Sequence, residues 1–194
     1  MVTQFGESFV GEGANAAHLN TVLGTKGGPV ETAWVTSLAT PTPGLVRFVT
    51  VLQPGLPVKP MTLFVPKSAI EGETHARMTW GPAQAGVAAG VATAVTRGIV
   101  APWDEDSKRL IARIGEPSSQ AAMFRKMLVD DLLLIAAVWV DPAADDADAV
   151  FANNRDATLG ALEAGARQLP SLEEVLAARE KPFNPFYPGP GPGL

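Results

Sequence analysis

The chain has 194 residues, 46% of them hydrophobic and 18% charged, with a net charge of −5. It is too apolar for a disordered polymer and long enough to bury one sizeable core, so a single domain is expected. The absence of Cys, the presence of only two His, and the lack of any Lys/Arg cluster exclude disulfides, thiol nucleophiles, multi-His metal sites within one chain and a nucleic-acid footprint.

Residues 1–7 have neither the basic nor the apolar region of a targeting segment. Residues 3–10 carry β-formers and read as a strand. In residues 17–23, Ala17, Leu19, Thr21 and Leu23 alternate with His18, Asn20 and Val22, so His18 and Asn20 project the same way from a second strand. A glycine-rich loop, 24–29, leads to a helix over 29–39. Pro29 suits its first turn, Glu31 complements its N-terminus, and PTPG at 41–44 stops it.

Residues 45–52 form a β-rich run, 53–60 a proline-studded loop and 61–65 a short strand. Helix is expected near Glu71 and over 82–97. The uncharged stretch 78–96 contains no Leu, Ile or Phe. A spanning helix wants about 20 strongly apolar residues, so this one reads as a closely packed helix of a cytoplasmic protein. Two short amphipathic helices are expected at 104–114 and 118–128, and LLLIAAVWV, 132–140, reads as a buried central strand. A long helix over 144–168 and a last one over 171–180 follow, the latter with Ser171 as N-cap and Glu174 completing a capping box. The Pro/Gly-rich tail, 182–194, cannot build a core. This order suggests a mixed sheet covered by helices, an α+β fold.

His18 is the sharpest candidate for chemistry, since an imidazole exchanges a proton near neutral pH. A structural His at a sheet edge is the plainer alternative. His75, in the charged stretch GETHAR, reads as solvated. GEGANA at 11–16 fits a dinucleotide-binding pattern, but a strand rather than a helix is expected to follow it. GTKGG lacks the ending of a phosphate loop. The carboxylates at 141–148 read as a helix start complementing the dipole, not as a metal site. Lys67 directly follows an apolar strand, and Gln84 lies in GPAQAG at a helix start. Each faces either a ligand or subunit partner, or merely the backbone groups of its own turn.

At these residues the sequence resembles the formaldehyde-activating enzyme family. The resemblance is carried by GESFVGEGANAAHLNTVLGTKGGPVETAW, VLQPGLPVKPMTLFVPKSAI, WGPAQAGVAAGVATAVTRGIV and IAAVWVDPAADDADAVFANNRDAT. It implies a two-layer α/β sandwich, helices on one face of a mixed sheet with a left-handed crossover. It also implies a homopentamer whose clefts between neighbouring subunits take the pterin. The implied reaction condenses formaldehyde with tetrahydromethanopterin, giving the methylene-bridged pterin and water. This is carbon–oxygen lyase chemistry and requires no metal. The catalytic His of the family matches His18, and its pterin-binding positions fall on Asn20, Val49, Lys67, Ala69 and Gln84.

Three of those positions depart from the family pattern. Asn20 stands where an Asp is usual, Ala69 where a Thr is usual, and Val49 replaces a Leu. A lost hydrogen bond costs on the order of 1 kcal/mol, more if charged. A carboxylate beside an imidazole favours its protonated form, so Asn20→Asp is expected to raise activity. The domain is expected over 1–181, with a helical insertion at about 103–131. Alternatives are a related reduced pterin such as a folate as carrier, and a non-catalytic homologue that binds or senses formaldehyde or a pterin. The small side chains of 82–96 permit close backbone approach. Together with the resemblance they lead to a ring of subunits, with His18, Lys67 and Gln84 in one cleft.

Overall fold

The structure, a computed structural model, describes residues 3–100, 129–180 and 182. The helices expected at 104–114 and 118–128 lie outside the described residues, as does the tail apart from Pro182.

Strand β1 (Gln4–Val10) and strand β2 (Ala17–Thr25) are joined by a single 3-10 turn at Gly13–Asn15. GEGANA therefore leads into a strand, which removes the dinucleotide pattern. Helix α1 (Pro29–Ala39) occupies the expected residues, with Pro29 in its first turn and Glu31 accepting from the Gly27 N–H at 2.8 Å. The β-rich run divides into β3 (Phe48–Val49) and β4 (Val51–Gln53). The proline-studded segment is not a plain loop. It contains β5 (Leu56–Pro57), paired antiparallel with β4 around Pro54 and Gly55, whose φ of 78° supplies the left-handed turn residue.

Strand β6 (Met61–Pro66) precedes helix α2 (Gly72–Met78). A π-helical turn, Thr79–Ala83, then accommodates Pro82 and leads into α3 (Gln84–Thr96). Strand β7 (Leu132–Trp139), helix α4 (Ala147–Arg167) and helix α5 (Leu172–Ala178) complete the order. Asp146 caps α4 by accepting from the Asp148 and Ala149 N–H groups at 3.0 Å, so the acidic stretch does start a helix. Both halves of the expected capping box form at Ser171 and Glu174.

The main sheet runs β1-β2-β7-β6-β3. Only β6 and β7 are parallel; the other neighbours are antiparallel. This is the mixed sheet of the expected α+β fold. Period-2 alternation sends Leu19, Leu23, Leu134 and Val138 to one face, where they are buried against Val87 and Val91 of α3 and Val150 of α4. Full burial of each such side chain contributes about 1.5–3 kcal/mol. Glycine lets α3 and α4 approach closely. A Cβ on Gly86 would stand 2.4 Å from the Phe151 carbonyl oxygen, and one on Gly90 would stand 2.6 Å from that of Arg155. The small-residue face is thus used within one chain and carries no argument for subunit contact.

The opposite face is covered only in part. Val30 and Trp34 of α1 pack there on Leu63 and Leu133. His18 lies on this same face with its side chain 36% exposed, and this face positions the site.

Candidate active site

His18 stands on the open face of β2 because its neighbours Ala17 and Leu19 are fully buried on the other. Phe9 lies opposite it on β1 and Trp139 opposite it on β7. The Phe9 and His18 ring centroids are 6.0 Å apart. A carboxylate completes the group. Glu7 Oε1 lies 2.9 Å from His18 Nε2. The two side chains are 61% and 36% exposed respectively, so a small molecule can reach the pair and its contribution to stability is small. Glu7 sits directly opposite Asn20 and diagonal to His18 in the ladder, within reach of a cross-strand contact.

Lys67 continues β6 past Pro66, its N–H donating to the Val138 carbonyl at 2.8 Å. One step beyond the Pro66–Val138 pair places it beside Trp139, on the face of His18. Its Nζ donates to the His18 carbonyl at 3.4 Å. Burial pushes the ammonium below its usual range, and the negative charge of Glu7 partly opposes that shift. Replacing Glu7 by Gln removes the opposing influence. We therefore expect Glu7→Gln to make Lys67 more reactive at pH 8, with faster reductive methylation. Mass spectrometry of the Lys67 peptide measures this, and an unchanged rate would show that Glu7 does not act on the amine.

Two other expected site residues lie elsewhere in the chain. Val49 and Gln84 line an apolar groove of about 330 Å³ with Val46, Phe48, Val51 and Trp80. Gln84 Oε1 accepts from the Val51 N–H at 2.6 Å, which ties β4 to the start of α3. Val49 pairs with Leu63, Leu63 with Ile135, and Ile135 with Val22. The groove edge is thus about four residues, roughly 13 Å, along the strands from His18 and about 14 Å across the sheet. Ala69 is exposed, and a Cβ on Gly44 would lie 3.1 Å from its methyl. Within one chain, then, His18, Asn20 and Lys67 come together, Val49 and Gln84 come together, and Ala69 touches neither pair in a described contact.

His75 is not solvated: it is 1% exposed. Its Nδ1 accepts from the Glu71 N–H at 3.0 Å, and its Nε2 bonds the Val140 carbonyl at 3.1 Å. A neutral ring with hydrogen on Nε2 satisfies both partners. The ring fastens α2 under the end of β7 and takes no part in the open face. Among the described residues no group of three or more His, Asp or Glu could hold a metal ion.

The fold and site define a class: a mixed-sheet α+β protein with a solvent-reached histidine–carboxylate–lysine group on one sheet face and a separate apolar groove at the sheet edge. The family model described as "Formaldehyde-activating enzyme (Fae)" matches residues 5–114 and 118–187, and the chain belongs to that family. It is 34% identical over 181 residues to a 5,6,7,8-tetrahydromethanopterin hydro-lyase of Methanosarcina barkeri, covering 93% of this chain and 88% of the relative. It is 31% identical over 185 residues to a bifunctional enzyme Fae/Hps of Methanosphaera stadtmanae, covering 95% of this chain but 40% of that relative. A Methanococcoides burtonii bifunctional enzyme Fae/Hps is 32% identical over 176 residues, 91% of this chain and 38% of the relative. The chain thus spans about two fifths of the bifunctional relatives it matches.

Proposed function

We propose that this protein is a lyase that condenses formaldehyde with tetrahydromethanopterin, or a related reduced pterin, to the methylene-bridged pterin and water. His18 is the general acid. The observation that carries the reading is the pairing of His18 with a carboxylate and a lysine on an open sheet face. The nitrogen of the reduced pterin adds to formaldehyde, and the oxygen then leaves. Hydroxide leaves poorly near neutral pH, so a positioned proton donor is the main thing the protein must add beyond orientation. Asn20, Val49, Lys67, Ala69 and Gln84 are the pterin-binding residues in this reading.

The pterin site lies between neighbouring copies, in a ring of five. Two observations support this. The His18 group and the Gln84 groove lie roughly 20 Å apart in one protomer, by the strand spacings above, and a cleft between copies accommodates both. The face also leaves Phe5 66% exposed, which is apolar surface a neighbour would cover. No helix among the described residues is long and apolar enough to cross a membrane, and we place the protein in the cytoplasm. Light scattering at micromolar concentration tests the ring, and a monomer mass would refute it.

Trp80, 49% exposed, is the aromatic wall of the groove. Trp80→Ala is expected to raise KM for the pterin about tenfold with kcat changed less than threefold, because flat aromatic contact binds ground and transition states alike. Equal loss in kcat alone would move the pterin away from this groove. The reading as a whole is tested by turnover of purified protein with tetrahydromethanopterin and with tetrahydrofolate, each against the spontaneous condensation. Rates at background for both carriers would leave a binding or sensing homologue, the alternative motivated by Asn20 and Ala69.

A further inference from the structure

We propose that Glu7 is a positioning residue of the proton-transfer site: its carboxylate holds the Nε2 edge of His18, so that the ring serves its substrate through Nδ1. This rests on the lyase reading above. Glu7 Oε1 is 2.9 Å from Nε2. A carboxylate there can only accept, so it fixes hydrogen on Nε2 in the neutral ring. Among the described residues no hydrogen bond reaches His18 Nδ1. Of the groups facing the ring, Asn20 on β2, Phe9 on β1 and Trp139 on β7 are uncharged. Among the described residues, the charged side chains placed at it are Glu7 on β1 and Lys67 just past β6, whose amine bonds the His18 carbonyl.

The backbone around Glu7 is well fixed. Its neighbour Gly6 packs so closely on α4 that a Cβ there would lie 1.8 Å from the Ala161 carbonyl oxygen. Glu7 pairs with Asn20 across the ladder. On this account Asn20→Asp adds no partner that His18 lacks. It sets two carboxylates opposite each other, which is destabilising, and the gain expected from the sequence alone is withdrawn.

The proton balance is simple. With His18 protonated, Nε2–H stays on Glu7 and Nδ1–H points to the hydroxymethyl oxygen of the pterin adduct. The C–O bond breaks with its electron pair going to oxygen, which takes the Nδ1 proton and leaves as water. The second pterin nitrogen bonds the same carbon, and its N–H proton returns to Nδ1. One water leaves, His18 is restored, and nothing is oxidised or reduced.

Full-length wild type, Glu7→Ala and Glu7→Gln decide the matter by 15N NMR of the imidazoles and by kinetics. The chain has two His, so His18→Ala assigns the spectrum, and His75 supplies an internal Nε2–H reference. In its neutral form, wild-type His18 should show hydrogen on Nε2. Glu7→Ala should give a tautomer mixture and a kcat about tenfold lower, with pterin KM within twofold. Glu7→Gln keeps an acceptor oxygen and should keep the Nε2–H tautomer, with a smaller fall in kcat. Hydrogen on Nδ1 in the wild type, or wild-type kcat in Glu7→Ala, overturns the proposal. Wild-type turnover at background, with hydrogen on Nε2 that depends on Glu7, would instead sink the lyase reading and leave the positioning of His18 standing.

Discussion

His18→Ala is expected to lower methylene-pterin formation by about 10²–10⁴-fold, the usual worth of a positioned general acid. The effect has a floor. Formaldehyde and a reduced pterin condense spontaneously, and the groove at Gln84 would still orient the carrier, so the variant falls towards background plus an orientation term. Stability should hardly change. The side chain is 36% exposed, its partner Glu7 is 61% exposed, and an ion pair so solvated is worth about 0–1 kcal/mol. For a chain of this size that is a melting shift of less than about 4 °C. The measurement is initial rate minus the protein-free rate, beside a circular-dichroism melt at fixed protein concentration. A variant within threefold of wild type would remove His18 from the chemistry.

The part of this site that lies on one strand was legible in the sequence. Alternation in AHLNTVL puts His18 and Asn20 on one face, and the structure agrees, with Leu19 and Leu23 buried behind them. The start of α1 and the cap of α5 were equally clear, because their signals lie within a few residues of the element they mark. Contacts that depend on register were not. Glu7 is eleven positions from His18, and what brings it within 2.9 Å is the turn between β1 and β2, with Gly11 and Gly13 at positive φ. GESFV carries no mark of that pairing.

His75 was misread for a related reason. GETHAR is polar as a string, but wound into α2 it turns Glu73 and Arg77 outward and His75 and Ala76 inward. A seven-residue helix shows too few turns for that periodicity to stand out. The β4–β5 hairpin was hidden by its prolines, which read as loop although Pro54-Gly55 is the turn of a two-stranded pair. The split between the His18 group and the Gln84 groove follows only from strand order, which no local pattern encodes.

Gly6→Ala is the substitution expected to cost most in stability. Gly6 is buried in β1, and a Cβ there would lie 1.8 Å from the Ala161 carbonyl oxygen and 2.7 Å from Thr21 Oγ1. The first of these is backbone in the middle of α4 and cannot rotate away. Strand and helix must separate by more than an ångström, which opens the core behind Leu19 and Leu162. Overpacking of this kind costs about 3 kcal/mol or more when the neighbour cannot yield, a melting decrease of about 6–12 °C for a chain of this length. Gly81→Ala is the control, since nothing lies within 4 Å of a Cβ there and its φ is ordinary. It should melt within about 2 °C of wild type. Because Glu7 follows Gly6 directly, the displaced strand also draws its carboxylate away from His18. Below its melting range, folded Gly6→Ala should therefore lose kcat to about the level of Glu7→Ala, while pterin KM stays near wild type. Thermal melts and initial rates of both glycine variants, at one protein concentration, check the two effects together. A Gly6→Ala protein as stable as Gly81→Ala would show that β1 does not press on α4 as the structure describes.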